Sequence, residues 1–285
     1  MAARSDASEG AIQEVLVSFP RKRMGFSGGE SKAGLLLASS FLALGVACAA
    51  TAQTKEKLPT AEKVLDRYVE VTGGREALLR YKSMTMHGRG QDPAKNIERE
   101  GVFYTKDGKM LQRILLPGGK TDESGYDGQT AWDLGPDGKA VIHEGDEIKT
   151  IARDADMYYH LQVMKYFKSM EVVDVKEFNG RACYHLKGIN NWGKVNEQFY
   201  DKENGLLVGY AFNTAWRGGD GDATETFEEY KDFGGVRMAT KNTHREGGDV
   251  SIFRITSVTY DDVSDDVFRL PEAVRAALAA KKSGK

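Results

Sequence analysis

Six glycine-bearing turns set the limits on what this chain can become. Lys106-Asp107-Gly108, Tyr126-Asp127-Gly128, Pro136-Asp137-Gly138, Asn179-Gly180, Asn204-Gly205 and Gly234-Gly235 each separate short runs in which apolar and polar residues alternate with period two. Asp-Gly and Asn-Gly accept the positive φ of the tight turns that join antiparallel neighbours, so the pattern reads as a meander of hairpins. Strands are expected near 83 to 90, 97 to 105, 110 to 116, 129 to 134, 139 to 143, 171 to 177, 181 to 188, 195 to 201, 206 to 213, 223 to 231, 236 to 244 and 250 to 260.

Helical spacing occurs in three places. In TAEKVLDRYVEVTGG, Ala61, Val64, Leu65, Tyr68 and Val71 fall on one side, Thr60 is placed as N-cap, and Gly73-Gly74 stops the run. The short piece REALLRY follows. Later, Ile148, Ile151, Ala152, Ala155, Tyr158, Tyr159 and Tyr166 predict a helix from about 146 to 168. The tail PEAVRAALAAKKSGK is helix-prone at first and then frays. No linker or repeat divides the sequence, so residues 53 to 285 read as a single domain with a short frayed C-terminal tail, its α+β body running from about 58 to 271.

The first 52 residues read differently. AGLLLASSFLALGVACAA, residues 33 to 50, is an uncharged apolar run behind Lys32 and the trio Arg21, Lys22 and Arg23, which is the order of a secretory signal. Ala50-Thr51-Ala52 supplies a small-x-small site, which places cleavage before Gln53. The run falls just short of the ~20 residues of a membrane span, so an uncleaved anchor is the alternative. The mixed stretch before Met24 is unusual in a leader, and Met24 is a second candidate start. Cys48 is a candidate lipidation site, although Gly45 stands where an aliphatic residue is wanted. After cleavage Cys183 is the sole cysteine, which excludes an intramolecular disulfide.

Composition narrows the function. With 40 Lys+Arg against 42 Asp+Glu the formal net charge is -2, which argues against a nucleic-acid partner because phosphate binding needs a clustered basic excess. Thirty-two Gly against 6 Pro is too much glycine for a helical bundle. Gly25-Phe26-Ser27-Gly28-Gly29 fits a nucleophile elbow but lies upstream of the export segment with no strand before it. Arg217 to Asp222 has part of a calcium loop without its closing Glu. His87, His143, His160, His185 and His244 stand singly, and the carboxylate pairs at 154/156, 261/262 and 265/266 sit beside basic residues or in turns. No enzyme chemistry, metal site or cofactor is expected.

Several segments, taken in order, resemble one family. Gly125-Tyr126-Asp127-Gly128-Gln129-Thr130-Ala131-Trp132 is similar to the "DGKTLW" hairpin of the LolA/LolB-type lipoprotein-localisation carriers. The early helix ending in Thr72-Gly73-Gly74, the stretch Arg153-Asp154-Ala155-Asp156 with Tyr158, the run from Phe199-Tyr200-Asp201 through Asn204-Gly205-Leu206-Leu207-Val208, and the closing Asp265-Asp266-Val267-Phe268 extend it over nearly all of the chain after the leader. The resemblance implies a curved, incomplete antiparallel β-barrel, a half-barrel with helices covering its concave apolar face. It also implies a non-enzymatic, exported, periplasmic protein that holds lipid or lipoprotein acyl chains there. Related modules tether or sense other envelope proteins, which leaves an envelope interaction module without a ligand as the alternative. Peripheral contact with a membrane, or anchoring through Cys48, fits either.

Period-two faces then nominate the trough. Met84 and Met86, Met110 and Ile114, Tyr184 and Leu186, and Val208, Tyr210 and Phe212 are the strand candidates. Phe103, Trp132, Phe199 and Phe253 are the expected aromatic walls, and Tyr158 joins them from the helical stretch. The carriers have a strand arginine that bonds to the covering helix. Arg113 is the nearest candidate for that lid contact, but Gln112 aligns with it, and a one-residue slip reverses the face.

Overall fold

The computed structural model describes residues 57–215, 219 and 221–283. The leader, Cys48 and the Gly25–Gly29 motif therefore lie outside the described residues, as do residues 217, 218 and 220 of the calcium-like loop.

Two helices, α1 (Ala61–Val71) and α2 (Gly74–Arg80), precede β1 (Ser83–Asp92), β2 (Ile97–Lys106), β3 (Lys109–Leu116), β4 (Lys120–Tyr126), β5 (Ala131–Leu134) and β6 (Ala140–Ile142). Helix α3 (Asp146–Asp154) and two short 3₁₀ turns at Tyr159–Leu161 and Val163–Tyr166 lead to β7 (Phe167–Phe178). Then come β8 (Arg181–Asn190), β9 (Val195–Asp201), β10 (Leu207–Asn213), β11 (Asp222–Phe233), β12 (Val236–Glu246), β13 (Asp249–Tyr260) and α4 (Glu272–Ser283). All 13 strands form one antiparallel sheet in the order β6-β5-β4-β3-β2-β1-β13-β12-β11-β10-β9-β8-β7. Strand β13 returns to pair with β1, so the two meanders join at the middle, and β6 and β7 remain as edges.

The turns do what their residues dictate. Asp107 and Gly108 both have positive φ (50° and 70°), as do Asn179 and Gly180 (47° and 74°), the requirement of a two-residue hairpin whose twist matches its strands. At α1 the Thr60 side chain caps the first turn by accepting from Lys63 N. Gly73, at φ 118°, ends the helix where a Cβ would strike the carbonyl oxygen of Gly235 in the β11–β12 turn.

Two expectations are corrected. The helix expected from about 146 to 168 stops at Asp154, because Asp156 takes over as a local acceptor: its carboxylate receives Tyr158 N at 3.0 Å and the Tyr166 hydroxyl at 2.5 Å, which folds the following stretch into turns. Strand β4 was not expected. Its sequence KTDESGY lacks an apolar alternation, and its place is fixed by pairing with β3 and β5.

Candidate functional site

Cross-strand register shows which side chains share a face. Leu186, Gln198, Tyr210, Glu225, His244 and Ser251 are direct neighbours along a row from β8 to β13. Two residues beyond Ser251, Phe253 pairs with Gly90 on β1, and the same face continues through Met86, Phe103, Gln112, Ser124 and Asp133 on β1 to β5. Ten of the nominated residues lie on it: Met84, Met86, Phe103, Met110, Ile114, Tyr184, Leu186, Tyr210, Phe212 and Phe253.

The face carries two apolar clusters. The first joins Leu186, Tyr200, Leu207, Tyr210 and Phe227 to Ala61, Val64, Leu65 and Tyr68 of α1 and to Tyr159 and Val163. Tyr68 meets Tyr200 edge-on with centroids 5.6 Å apart. The second is built on Met86, Phe103, Ile114, Phe253 and Ile255, with Met84 and Leu116 packed against it, and among the described residues no helix contributes to it. Glycine makes the room there. A Cβ at Gly88 would collide with the Phe253 ring, and one at Gly101 would lie 3.0 Å from Ile114 Cδ1.

The remaining nominees are elsewhere. Trp132 lies on the opposite face, buried with Leu111, Phe268 and Val274 of α4. Phe199 also faces away, stacked on Phe178 at 3.9 Å and on His185 at 4.8 Å. Val208 joins Phe199 and Cys183 there, because an irregularity between Leu207 and Gly209 shifts the pleat and separates Val208 from Tyr210. Burial pushes the Cys183 thiol up to about 11, which makes it a poor nucleophile. Tyr158 is half-buried in the stretch after α3, where its hydroxyl donates to Tyr81 O at 2.8 Å. Arg113, the lid candidate, is corrected: it faces away and bonds Glu123 Oε1 at 2.6 Å, while Gln112 takes the trough-side position beside Phe103.

Polar chemistry on or against this face includes three points, of which the sequence reading had marked only the Arg153–Asp154 stretch as a motif, through the family resemblance. Near one edge, His143 is buried with Nε2 3.0 Å from Asp133 Oδ2 and Nδ1 3.1 Å from Glu147 Oε2, tying β5 to the start of α3. The spacing of His143 and Glu147, four apart, was readable; the contribution of Asp133 needed the register. Beside them burial, and then the charge of Asp133, raises the Asp122 carboxyl to about 6. At the other end of α3, Arg153 is buried against Asp154 at 2.6 Å, with the Tyr159 and Trp192 rings 6.0 and 5.7 Å from its guanidinium carbon. Burial alone would lower the Arg153 pKa, but the adjacent Asp154 charge turns the net shift upward. The third point is the pair Glu225 and His244 on β11 and β12.

An open cleft of about 800 Å³ lies away from this face, at the β7–β8 and β9–β10 hairpin tips, lined by residues that include Asn179, Arg181, Asp201 and Lys202. Among the described residues no group of three or more His, Cys, Asp or Glu is arranged to hold a metal ion. No described helix is long and apolar enough to cross a membrane, which says nothing of spans made by strands.

No family model matches the sequence, and no curated protein matches it. Solved structures do. A LolA superfamily protein from Nitrosomonas europaea superposes with a TM-score of 0.53 at 14% identity, over 75% of this chain and 99% of that one. The fold is LolA-like. A DUF1329 family protein from Desulfovibrio piger is similar at a TM-score of 0.50 and 15% identity, over 73% of this chain and 96% of its own. The LolA-like sheet of this chain is the unclosed antiparallel one described above, accompanied by four α-helices among the described residues.

Proposed function

We propose that this protein is an exported, non-enzymatic carrier that holds an acyl chain on the Met86–Phe253 face of its sheet. The observation that carries the reading is the second apolar cluster: Met86, Phe103, Ile114, Phe253 and Ile255, from four strands, are gathered on one face and buried, and no helix residue is among the cluster's apolar members. An acyl chain laid on that face gains about 0.8 kcal/mol per buried CH₂, so a dozen methylenes suffice without any catalytic group. Helix α3 is suited to be the cover, since its first turn is tied to β5 through His143 and the Arg153 at its end lies against Tyr159. The likeness to a LolA superfamily protein supports the fold on which this reading depends. Cleavage before Gln53 would release the carrier into the periplasm; N-terminal sequencing of the envelope fraction tests that step.

A long-chain fatty acid should raise the melting temperature by mass action, and Met86→Lys should remove the shift, a comparison made only on variant protein that circular dichroism shows to be folded. A folded wild-type protein indifferent to every acyl chain would contradict the carrier.

One observation favours a second reading, a docking module. Val173 and Val175 on edge strand β7, and the cross-strand pair Ile189 and Val195 on β8 and β9, are 37% to 46% exposed. Two register irregularities in β7 blunt that edge against strand addition, so the carrier is the better account.

A further inference from the structure

The row Met86, Phe103, Gln112, Ser124 and Asp133 runs along the carrier face from the acyl cluster to β5, and it ends at His143, whose side chain is 1% exposed. The two ring nitrogens of His143 face two different carboxylates, Nε2 toward Asp133 Oδ2 and Nδ1 toward Glu147 Oε2. Ionised carboxylates only accept, so the doubly protonated ring alone donates to both. A neutral ring carries one proton and turns a lone pair on one of the two oxygens, which breaks that contact.

The backbone decides which contact yields. His143 N donates to Ala131 O at 2.9 Å, and the Ser124 hydroxyl donates to Asp133 Oδ1 at 2.6 Å, so His143 and Asp133 both stay with the sheet. Glu147 belongs instead to the first turn of α3, a nine-residue helix with no side-chain N-cap, entered through Gly145 at φ 64° and ψ -129°, a conformation that favours glycine. Other charged groups around the ring include Asp122 on β4, which feels the charges of Asp133, Arg99 and Asp137; Glu144, paired with Lys281 of α4 at 2.7 Å; and Asp146, paired with Lys149 at 2.9 Å and with Lys194 at 3.7 Å. Asp122 adds negative charge when it ionises, which favours the charged ring and does not release it.

Resting on the carrier reading with α3 as its cover, we propose that His143 is a pH-governed latch: charged, it clamps the first turn of α3 onto β5 and shuts that end of the trough; neutral, it keeps Asp133, lets Glu147 go and opens it.

The test is hydrogen exchange on the intact protein at about pH 5.5 and about pH 8.5, on either side of ordinary imidazole titration, read as protection factors for α3 relative to β1, β2 and β13. Protection of α3 should fall about ten-fold at the higher pH, the effect of one charge-assisted hydrogen bond. Glu147→Gln separates protonation from packing, because its amide can donate to a neutral Nδ1 and its oxygen can accept from a charged one; α3 should then stay protected at both pH values. If that variant loses its fold by circular dichroism, Asp133→Asn makes the same comparison at Nε2. A wild-type helix indifferent to pH, or a response that persists in the folded variant, would overturn the latch, as would loss of the response in Asp122→Asn, which would assign the titration to Asp122. 1-Dodecanol, uncharged at both pH values, should enter wild-type protein about ten-fold faster at the higher one, in proportion to the open fraction, and equal rates would overturn the gating. No 1-dodecanol binding at either pH would overturn the carrier reading, while the exchange data still judge the latch.

Discussion

The Phe253 ring occupies the space that a side chain at Gly88 would need, and Arg254 O lies 2.6 Å from where that Cβ would be. Glycine at 88 is thus a packing requirement of the second apolar cluster. Gly88→Ala would have to move a backbone carbonyl as well as a ring, so it should cost about 1–3 kcal/mol, the range of overpacked cores. Urea unfolding checks this; a loss below about 0.5 kcal/mol would mean that Phe253 can turn away freely.

His143 joins β5 to α3, and its removal should loosen the helix before the sheet. In His143→Phe the amides of residues 146 to 154 should exchange faster, while those of β1, β2 and β13 keep their protection. Hydrogen exchange read by mass spectrometry distinguishes this from global destabilisation, in which both sets would accelerate together.

Asp122 makes the fold less stable as pH rises. Its folded pKa, about 6, is above the ordinary 3.8, so between those values the unfolded chain gives up its proton first and stability falls, levelling off above 6. A shift of that size in a fully enclosed group would be worth about 3 kcal/mol, and partial solvation reduces it to about 1 kcal/mol. Asp122→Asn should flatten the slope and stabilise the protein at pH 8. Denaturant midpoints from pH 4 to 8 are the measurement, and an unchanged slope would contradict it.

The Arg153–Asp154 pair is expected to matter through what remains when half of it is removed. Arg153→Met leaves the Asp154 carboxylate buried without its guanidinium and should cost about 3–5 kcal/mol, whereas changing both to Met and Leu should recover most of that loss. Calorimetric melting of the single and double variants tests the asymmetry; equal losses would contradict it.

Much of the fold was legible because turns and pleats are local. Asp107-Gly108 and Asn179-Gly180 turned where their positive φ requires it, and period two put Met84 with Met86 and Tyr184 with Leu186. What could not be read is long-range or cumulative. Strand β4 has no apolar pattern of its own and exists through its neighbours. One irregularity after Leu207 reversed Val208, and no composition marks it. Phe199 and Trp132 were placed by size, yet the face they occupy depends on register, and the opposite side of the sheet has clusters of its own. The same limit concealed the polar points: Asp133 is ten residues from His143, and Glu225 is nineteen from His244, distances bridged only by strand pairing.

Native mass spectrometry of the protein purified from an envelope-containing host addresses the central claim most directly. Wild-type protein should carry an added mass matching one lipid chain, reduced or absent on folded Met86→Lys and retained on Val195→Lys, an exposed change away from the carrier face. Bare wild-type protein that also fails to take up any added acyl chain would contradict that claim.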